Sequence, residues 1–260
     1  PLRLNVVKGE VEGTLFEVQD KIKLVVACKL GQDYWEQYVL AEYLTYRMLN
    51  VLTPISFRVR PARVTYVDSS GEDDTFTRYA FLIEDDSEMA ERANAIKVDW
   101  QEGRQLNPVL LVKDYAIMVE FFQYMIGNTD WSGAEMHNME LIRDADQLLR
   151  AVPFDFDFSG IVDSRYAVPD RSLPIRSVRQ RHFRGFCPDQ MNRSEADYQA
   201  VIQHFQDKKE EIYDLWRNQE GLEEDRIEDT LEYLDEFYKI LGDQGRVDRY
   251  MLEQCVRIRR

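Results

Sequence analysis

Positive charge is scarce in this chain. Its 33 Lys and Arg face 48 Asp and Glu, giving a net charge of −15. That balance argues against nonspecific nucleic-acid binding, and an anionic ligand would need a local basic patch or a bound cation. Long apolar runs are missing as well: no stretch approaches the roughly 18 residues that a membrane-crossing helix requires, so no membrane span is expected. Cysteine is sparse and odd in number. Cys28, Cys187 and Cys255 match no metal spacing, at least one is left unpaired, and the simplest reading makes all three small free thiols. The three histidines, His137, His182 and His204, share no metal spacing either. There is no G-x-G-x-x-G, no internal repeat and no low-complexity segment. Core material is plentiful: 44% of the 260 residues are hydrophobic, with 13 Phe and 14 Tyr, which excludes disorder and suffices for one large domain or two lobes sharing a cleft. The chain opens at Pro1 without Met, so a removed leader or further upstream sequence is an open expectation.

Between residues 127 and 160 the order of residues has a chemical meaning. Asp130 lies in a loop, Asn138 follows eight residues later where a strand begins, and Asp155 and Asp157 follow a second strand. Phosphoryl transfer uses one carboxylate to position a hydroxyl, and an amide oxygen and another carboxylate to hold Mg²⁺. Tyr115 to Ile126 is apolar almost all round, as a buried helix is, and Gly127 can end it in the left-handed conformation. Met139–Ile142 and Leu148–Val152 flank a turn at Asp144–Gln147 and predict a hairpin whose closed ends bring Asn138 to the aspartate pair. Two apart on a strand, Asp155 and Asp157 would point the same way and repel unless a cation or a proton intervenes.

Elsewhere the patterning predicts strands over 2–7, 13–16 and 22–27, then a helix over 34–52 with Pro54 just beyond it. A strand over 56–68, a turn at Ser69–Gly71 and a strand over 76–83 follow, then a short helix over 86–95. Residues 161–193, rich in Pro and Arg, read as a long ordered loop of the functional or mobile kind. Ser194–Asp197 resembles a capping box opening a helix to about Arg217, with further helices over 223–241 and 245–257. The fold class expected is α+β.

Asp130-Trp131, Asn138 and the run Pro153 to Asp157 with Gly160 nearby resemble the spore-coat CotH kinase family. So do Tyr38 to Arg47, Ser56 to Arg60 and Tyr79 to Glu84, and the resemblance covers roughly residues 1 to 160. It implies one atypical kinase-like domain over 1–260, with a strand-rich N-lobe over 1–85 and a mainly helical C-lobe over 86–260. It also implies ATP with Mg²⁺ or Mn²⁺, and γ-phosphate transfer to a hydroxyl, with protein Ser/Thr favoured and a sugar or small alcohol open. A secreted or cell-envelope location fits the family, while the residues leave a cytoplasmic one open. The chain lacks a His-Arg-Asp triplet, and its Asp-to-Asn spacing is longer than in H-R-D-x-x-x-x-N. With no glycine-rich loop to cover phosphates, a nucleotide-binding pseudokinase is the alternative. A carbohydrate hydrolase using Asp155 and Asp157 as acid and base is a third reading, and it needs carboxylates roughly 5 to 9.5 Å apart.

On the kinase reading Asp130 is the candidate base, against an exposed loop carboxylate or N-cap. Asn138, Asp155 and Asp157 are the metal candidates, with Asn138 otherwise a turn cap and Asp155 favoured over Asp157 for direct contact. The cation for the α/β-phosphates is sought in Lys23, with Arg3 competing, and its helix carboxylate in Glu42, with Glu36 the other choice. Glu84, ahead of Asp85 and Asp86, stands where a hinge would meet adenine through backbone groups. His137 either touches phosphate or serves structure. Arg171, Arg176, Arg179, Arg181 and Arg184, with His182, form a basic run. It either receives an acidic or phosphorylated acceptor or pins a loop to the acidic C-terminal helices. The acidic run Glu220 to Glu236 reads as a solvated helix face.

Overall fold

Two apolar helices carry the remainder of the molecule. α1 (Tyr34–Leu52) contains no Gly or Pro and buries most of its residues. α3 (Lys113–Met125) is buried continuously from Tyr115 to Met125, as its all-round apolar pattern requires. The computed structural model describes residues 2–258 except 15, 18–20, 30, 31, 33, 73 and 102, and the fold is α+β.

The first sheet comprises β1 (Leu2–Asn5), β2 (Lys21–Val26), β3 (Val59–Tyr66) and β4 (Phe76–Ile83), in the order β1-β2-β4-β3 with every pairing antiparallel. α1 packs on this sheet through Tyr43 and Tyr46, whose rings lie 5.9 and 5.8 Å from Phe81 of β4. α2 (Asp86–Arg92) follows, N-capped by Asp85. The second sheet comprises β5 (Ala95–Lys97), β6 (Met139–Asp144) and β7 (Leu149–Pro153); the expected hairpin pairs Met139 with Pro153. Five helices close the chain: α4 (Pro188–Met191), α5 (Glu195–Asp207), α6 (Lys209–Arg217), α7 (Glu224–Leu241) and α8 (Gln244–Tyr250). One continuous buried cluster runs from Ala27 to Met251 through both sheets and the large helices.

Several expectations need correction. The strand over 13–16 is not formed: Gly13 is left-handed at φ +73°, and Thr14 bonds back to Val11 through its N–H and its hydroxyl, making a turn. Residue 15 lies outside the described residues. The helix expected over 86–95 stops at Arg92, because Asn94 turns left-handed (φ +52°) and the chain enters β5, a strand too short to carry a period. The capping box at Ser194 is present, yet the helix it opens breaks at Lys208. The break lets α6 pack on both α1 and α7, with Trp216 Nε1 3.2 Å from Met48 Sδ. The last helix ends at Tyr250 instead of 257. Beyond it Val256 forms a bridge to Phe186, and Cys255 is bonded to Cys187. The cysteines are therefore not three free thiols. Cys187 and Cys255 form a disulfide spanning 68 residues, and Cys28 is the exposed free one. Among the described residues no helix is long and apolar enough to cross a membrane.

Candidate active site

A cleft lies between β2, α1 and the segment that leaves β7. Lys23, Glu42, Tyr46, Phe154, Asp155, Asp157 and Tyr166 are among its walls, and it encloses a cavity of about 190 Å³. That is smaller than the roughly 300 to 1,000 Å³ of pockets that hold small molecules, so a nucleotide would need the cleft to open. Glu42, 7% exposed, rises into the cleft from α1. Burial holds its carboxyl well above the ordinary range, the charges of Asp157 and Asp155 push it further, and a hydrogen bond from the Phe156 N–H opposes them. Glu36, the other carboxylate considered on this helix, accepts the Tyr79 N–H at 2.6 Å and pairs with Arg78 at 3.4 Å, so it serves β4.

The two aspartates do not share a strand face as expected. β7 ends at Pro153, Asp155 is left-handed at φ +63°, and the chain enters a turn. The backbone turn still brings the carboxyls together. Asp157 shares a hydrogen bond with Asp155 and accepts one from the Tyr166 hydroxyl at 3.0 Å. Burial first, and the Asp155 charge second, push Asp157 up to about 6. The Asp155 N–H donates to the Tyr46 hydroxyl at 2.8 Å, which ties the turn to α1.

The loop after α3 is not among the walls of this cleft; its Asp130 borders a separate groove with Thr129, His137 and Arg184. Gly127 ends the helix at φ +66°, where an added Cβ would fall 2.1 Å from the Tyr233 hydroxyl. Asn128 Oδ1 accepts the Asp130 N–H at 2.9 Å. Asn138 Nδ2 donates to the Asp130 carbonyl at 2.8 Å and to its Oδ2 at 3.2 Å, while His137 Nε2 lies 2.9 Å from Oδ1. With its amide nitrogen so engaged, Asn138 keeps its amide oxygen for a cation. The Asn138 carbonyl accepts the Phe154 N–H at 3.1 Å, so the hairpin does join Asn138 to the aspartate turn. Asp157 also senses the charge of Asp130.

The remaining candidates divide. Lys23 lines the cleft, but its ammonium lies 5.8 Å from the Phe154 ring, and among the described residues no ion pair joins it to Glu42. Arg3 sits opposite Lys23 on exposed β1 and is not among the cleft walls. The Glu84 carboxylate takes both Arg92 Nε and Nη2 at 2.8 Å and the Arg58 N–H at 2.9 Å, and its own N–H goes to the Arg58 carbonyl. That side chain is a clamp between β3, β4 and α2. The basic run divides in the same way. Arg179 bonds the Gly160 carbonyl and Asp229; Arg181 bonds the Met125 and Tyr233 carbonyls and Glu236; Arg184 bonds the Thr129 carbonyl. Arg179 and Arg181 thus pin the loop to α7, whereas Arg171 and Arg176 are exposed.

Sequence reasoning missed Tyr46, Tyr166 and Tyr233. The last two lie outside any motif, and only tertiary packing brings them to the site. Among the described residues no three His, Cys, Asp or Glu side chains form a ready-made metal set. A Mg²⁺ at this place would draw also on the Asn138 oxygen, phosphate and water, in keeping with its habit of few protein ligands. The chain matches no protein-family model and no curated protein.

Proposed function

We propose that this chain is an atypical ATP- and Mg²⁺-dependent kinase whose acceptor is a hydroxyl, protein Ser/Thr first. Its two lobes would meet at the cleft, residues 1–85 above and 86–260 below. The observation that carries this reading is the bonding of Asn138 to Asp130 beside the Asp155–Asp157 turn. Base and candidate metal ligands, up to 27 residues apart in sequence, are joined through the bond from the Phe154 N–H to the Asn138 carbonyl.

In this reading Asp130 orients the acceptor hydroxyl and takes its proton. Asn138, Asp155 and Asp157 would hold the cation, whose chemistry is to neutralise phosphate charge. The residues fit such an ion: two carboxylates in contact, with a third carboxyl in Glu42, are held together only by retained protons or by a cation. Lys23 is the cleft cation available to phosphate, and the apolar walls Val25, Phe57 and Ile83 suit a base ring. The Cys187–Cys255 disulfide fits an oxidising compartment, in line with a secreted or cell-envelope protein.

One observation favours a pseudokinase as second reading. Glu42 is buried without a cationic partner among the described residues, where an active kinase pairs such a carboxylate with the phosphate-binding lysine. Thermal shift with ATP, with and without Mg²⁺, followed by γ-phosphate transfer separates the two. Asp130→Asn should keep ATP binding and lower turnover by roughly 10²- to 10⁴-fold. Asp155→Ala should weaken the Mg²⁺-dependent part of ATP binding. Mg²⁺-dependent binding without transfer leaves the pseudokinase; no ATP-dependent shift at all refutes both.

A further inference from the structure

His137 enters the reading above only as the neighbour of Asn138, yet it holds one of the two oxygens on which that reading turns. Its Nε2 lies 2.9 Å from Asp130 Oδ1, while Asn138 Nδ2 takes Oδ2 at 3.2 Å. An ionised carboxylate only accepts, so Nε2 carries the proton and donates. Both ends of the carboxylate are thereby tied to consecutive residues. A regular strand would send the side chains of 137 and 138 to opposite faces. Met136 at φ +58° and Asn138 at φ +53° break that alternation, and both side chains reach Asp130.

The anchor behind the imidazole is fixed in three places. The His137 carbonyl accepts the Ser132 N–H at 3.1 Å, closing the loop 132–137 with an antiparallel bridge. The Ala134 carbonyl in that loop accepts the Leu106 N–H at 2.7 Å, and the Ser132 hydroxyl accepts the Glu135 N–H at 3.1 Å. Packing alone does little to hold the carboxylate, since the Asp130 side chain is 44% exposed and that of His137 56%. An exposed Asp left to itself moves among rotamers. His137 also stands on the wall shared by two grooves, one lined by Thr129, Asp170 and Arg184, the other by Lys97, Trp100 and Glu140. An acceptor arriving along either groove passes it.

The geometry points to His137 as the positioning residue for Asp130: it holds Oδ1 so that Oδ2, the oxygen with the longer bond, is presented to the acceptor hydroxyl. This inference rests on the kinase reading. His137 acts here through the hydrogen bond it makes to Oδ1.

The test is steady-state kinetics of the full chain with Mg²⁺-ATP and dephosphorylated casein as hydroxyl acceptor. His137→Ala is expected to lower kcat by about 10- to 100-fold, the scale of a misplaced catalytic group, with KM for ATP and the melting temperature unchanged. His137→Gln, whose Nε2 can donate from nearly the same place, is expected to recover most of that loss. If Asp130→Asn abolishes transfer while His137→Ala leaves kcat intact, the positioning role is overturned and the kinase reading stands. If His137→Ala lowers kcat and melting temperature together and Gln rescues neither, His137 is structural and the inference fails. If Asp130→Asn leaves transfer unchanged, or the wild-type chain phosphorylates neither casein nor itself, the kinase reading falls and the inference with it.

Discussion

Gly160→Ala probes the contact between the aspartate turn and the C-terminal helices. An alanine Cβ there would lie 2.4 Å from the Val178 carbonyl oxygen and 2.6 Å from the Tyr233 hydroxyl. Ordinary contact begins at 3.4 Å, so the shortfalls are about 1.0 and 0.8 Å. Neither neighbour can step aside easily. Val178 offers backbone, and the Tyr233 ring is buried with the guanidinium groups of Arg181 and Arg179 at 3.5 and 4.3 Å. Overpacking costs about 1 to 3 kcal/mol, and two rigid obstacles put this case near about 3. For a chain of this size about 2 to 4 °C is lost per kcal/mol, so Tm should fall by about 6 to 12 °C. The Tyr233 hydroxyl finds no hydrogen-bond partner among the described residues, so Tyr233→Phe alone should be neutral or slightly stabilising. Combined with Gly160→Ala it should recover part of the loss, leaving the share due to Val178. Differential scanning fluorimetry of the two single variants and the double reads this directly. An unchanged Tm for Gly160→Ala, or strict additivity in the double, refutes the reasoning.

Three further outcomes are expected. Reducing the Cys187–Cys255 bridge should cost about 4 kcal/mol by loop closure over its 68-residue separation; equal thermal unfolding with and without dithiothreitol would show that the bridge does not form. Arg193→Met strips the cation from Glu120, which it holds through two bonds of 2.6 and 2.8 Å with both side chains buried. The loss should be about 3 to 5 kcal/mol in urea unfolding. For Asp157, raised to about 6 from an ordinary 3.8 by burial and by Asp155, the folded chain holds the extra proton in that interval. Its contribution to stability is therefore present at low pH and lost as pH rises from about 4 to 6. In EDTA, Asp157→Asn should gain on wild type across that window; equal pH profiles would contradict the shift.

Legibility in the sequence followed the range of the forces involved. α1, α3 and the β6–β7 hairpin were readable because their patterns are local: an apolar stripe, an all-round apolar run, two short runs about a turn. The choice between Glu36 and Glu42 was not. Six residues apart on a helix, they lie about 120° apart around its axis, and only the position of the sheet decides which of them faces the cleft. The aspartate pair was found but its geometry was misread, since nothing in the composition of Phe154 to Phe158 announces a left-handed Asp155. The arginine run was visible as charge, yet the partners of Arg179 and Arg181 lie about 50 residues away on α7, and no periodicity connects them. The cysteine pairing was hidden in the same way, because three cysteines allow several pairings and the spacing selects none.

The alternation Phe154, Asp155, Phe156, Asp157, Phe158 has a mechanical sense once the helices are in place. Phe156 is fully buried, with the Tyr46 ring of α1 at 4.6 Å and the Phe122 ring of α3 at 5.5 Å. One aromatic residue is thus gripped by both apolar helices, and the carboxylates on either side of it are presented to the cleft. The left-handed backbone of Asn138 and Asp155 carries a conformational cost that persists only where the surroundings over-determine it. Here that support comes from the Phe156 grip, the Tyr46 hydroxyl on the Asp155 N–H, and the Asn138 bonds to Asp130. The two helices whose apolar faces build the core are therefore the same ones that aim the carboxylates. Loosening α1 from α3 would release the grip on Phe156 and with it the placement of Asp155 and Asp157.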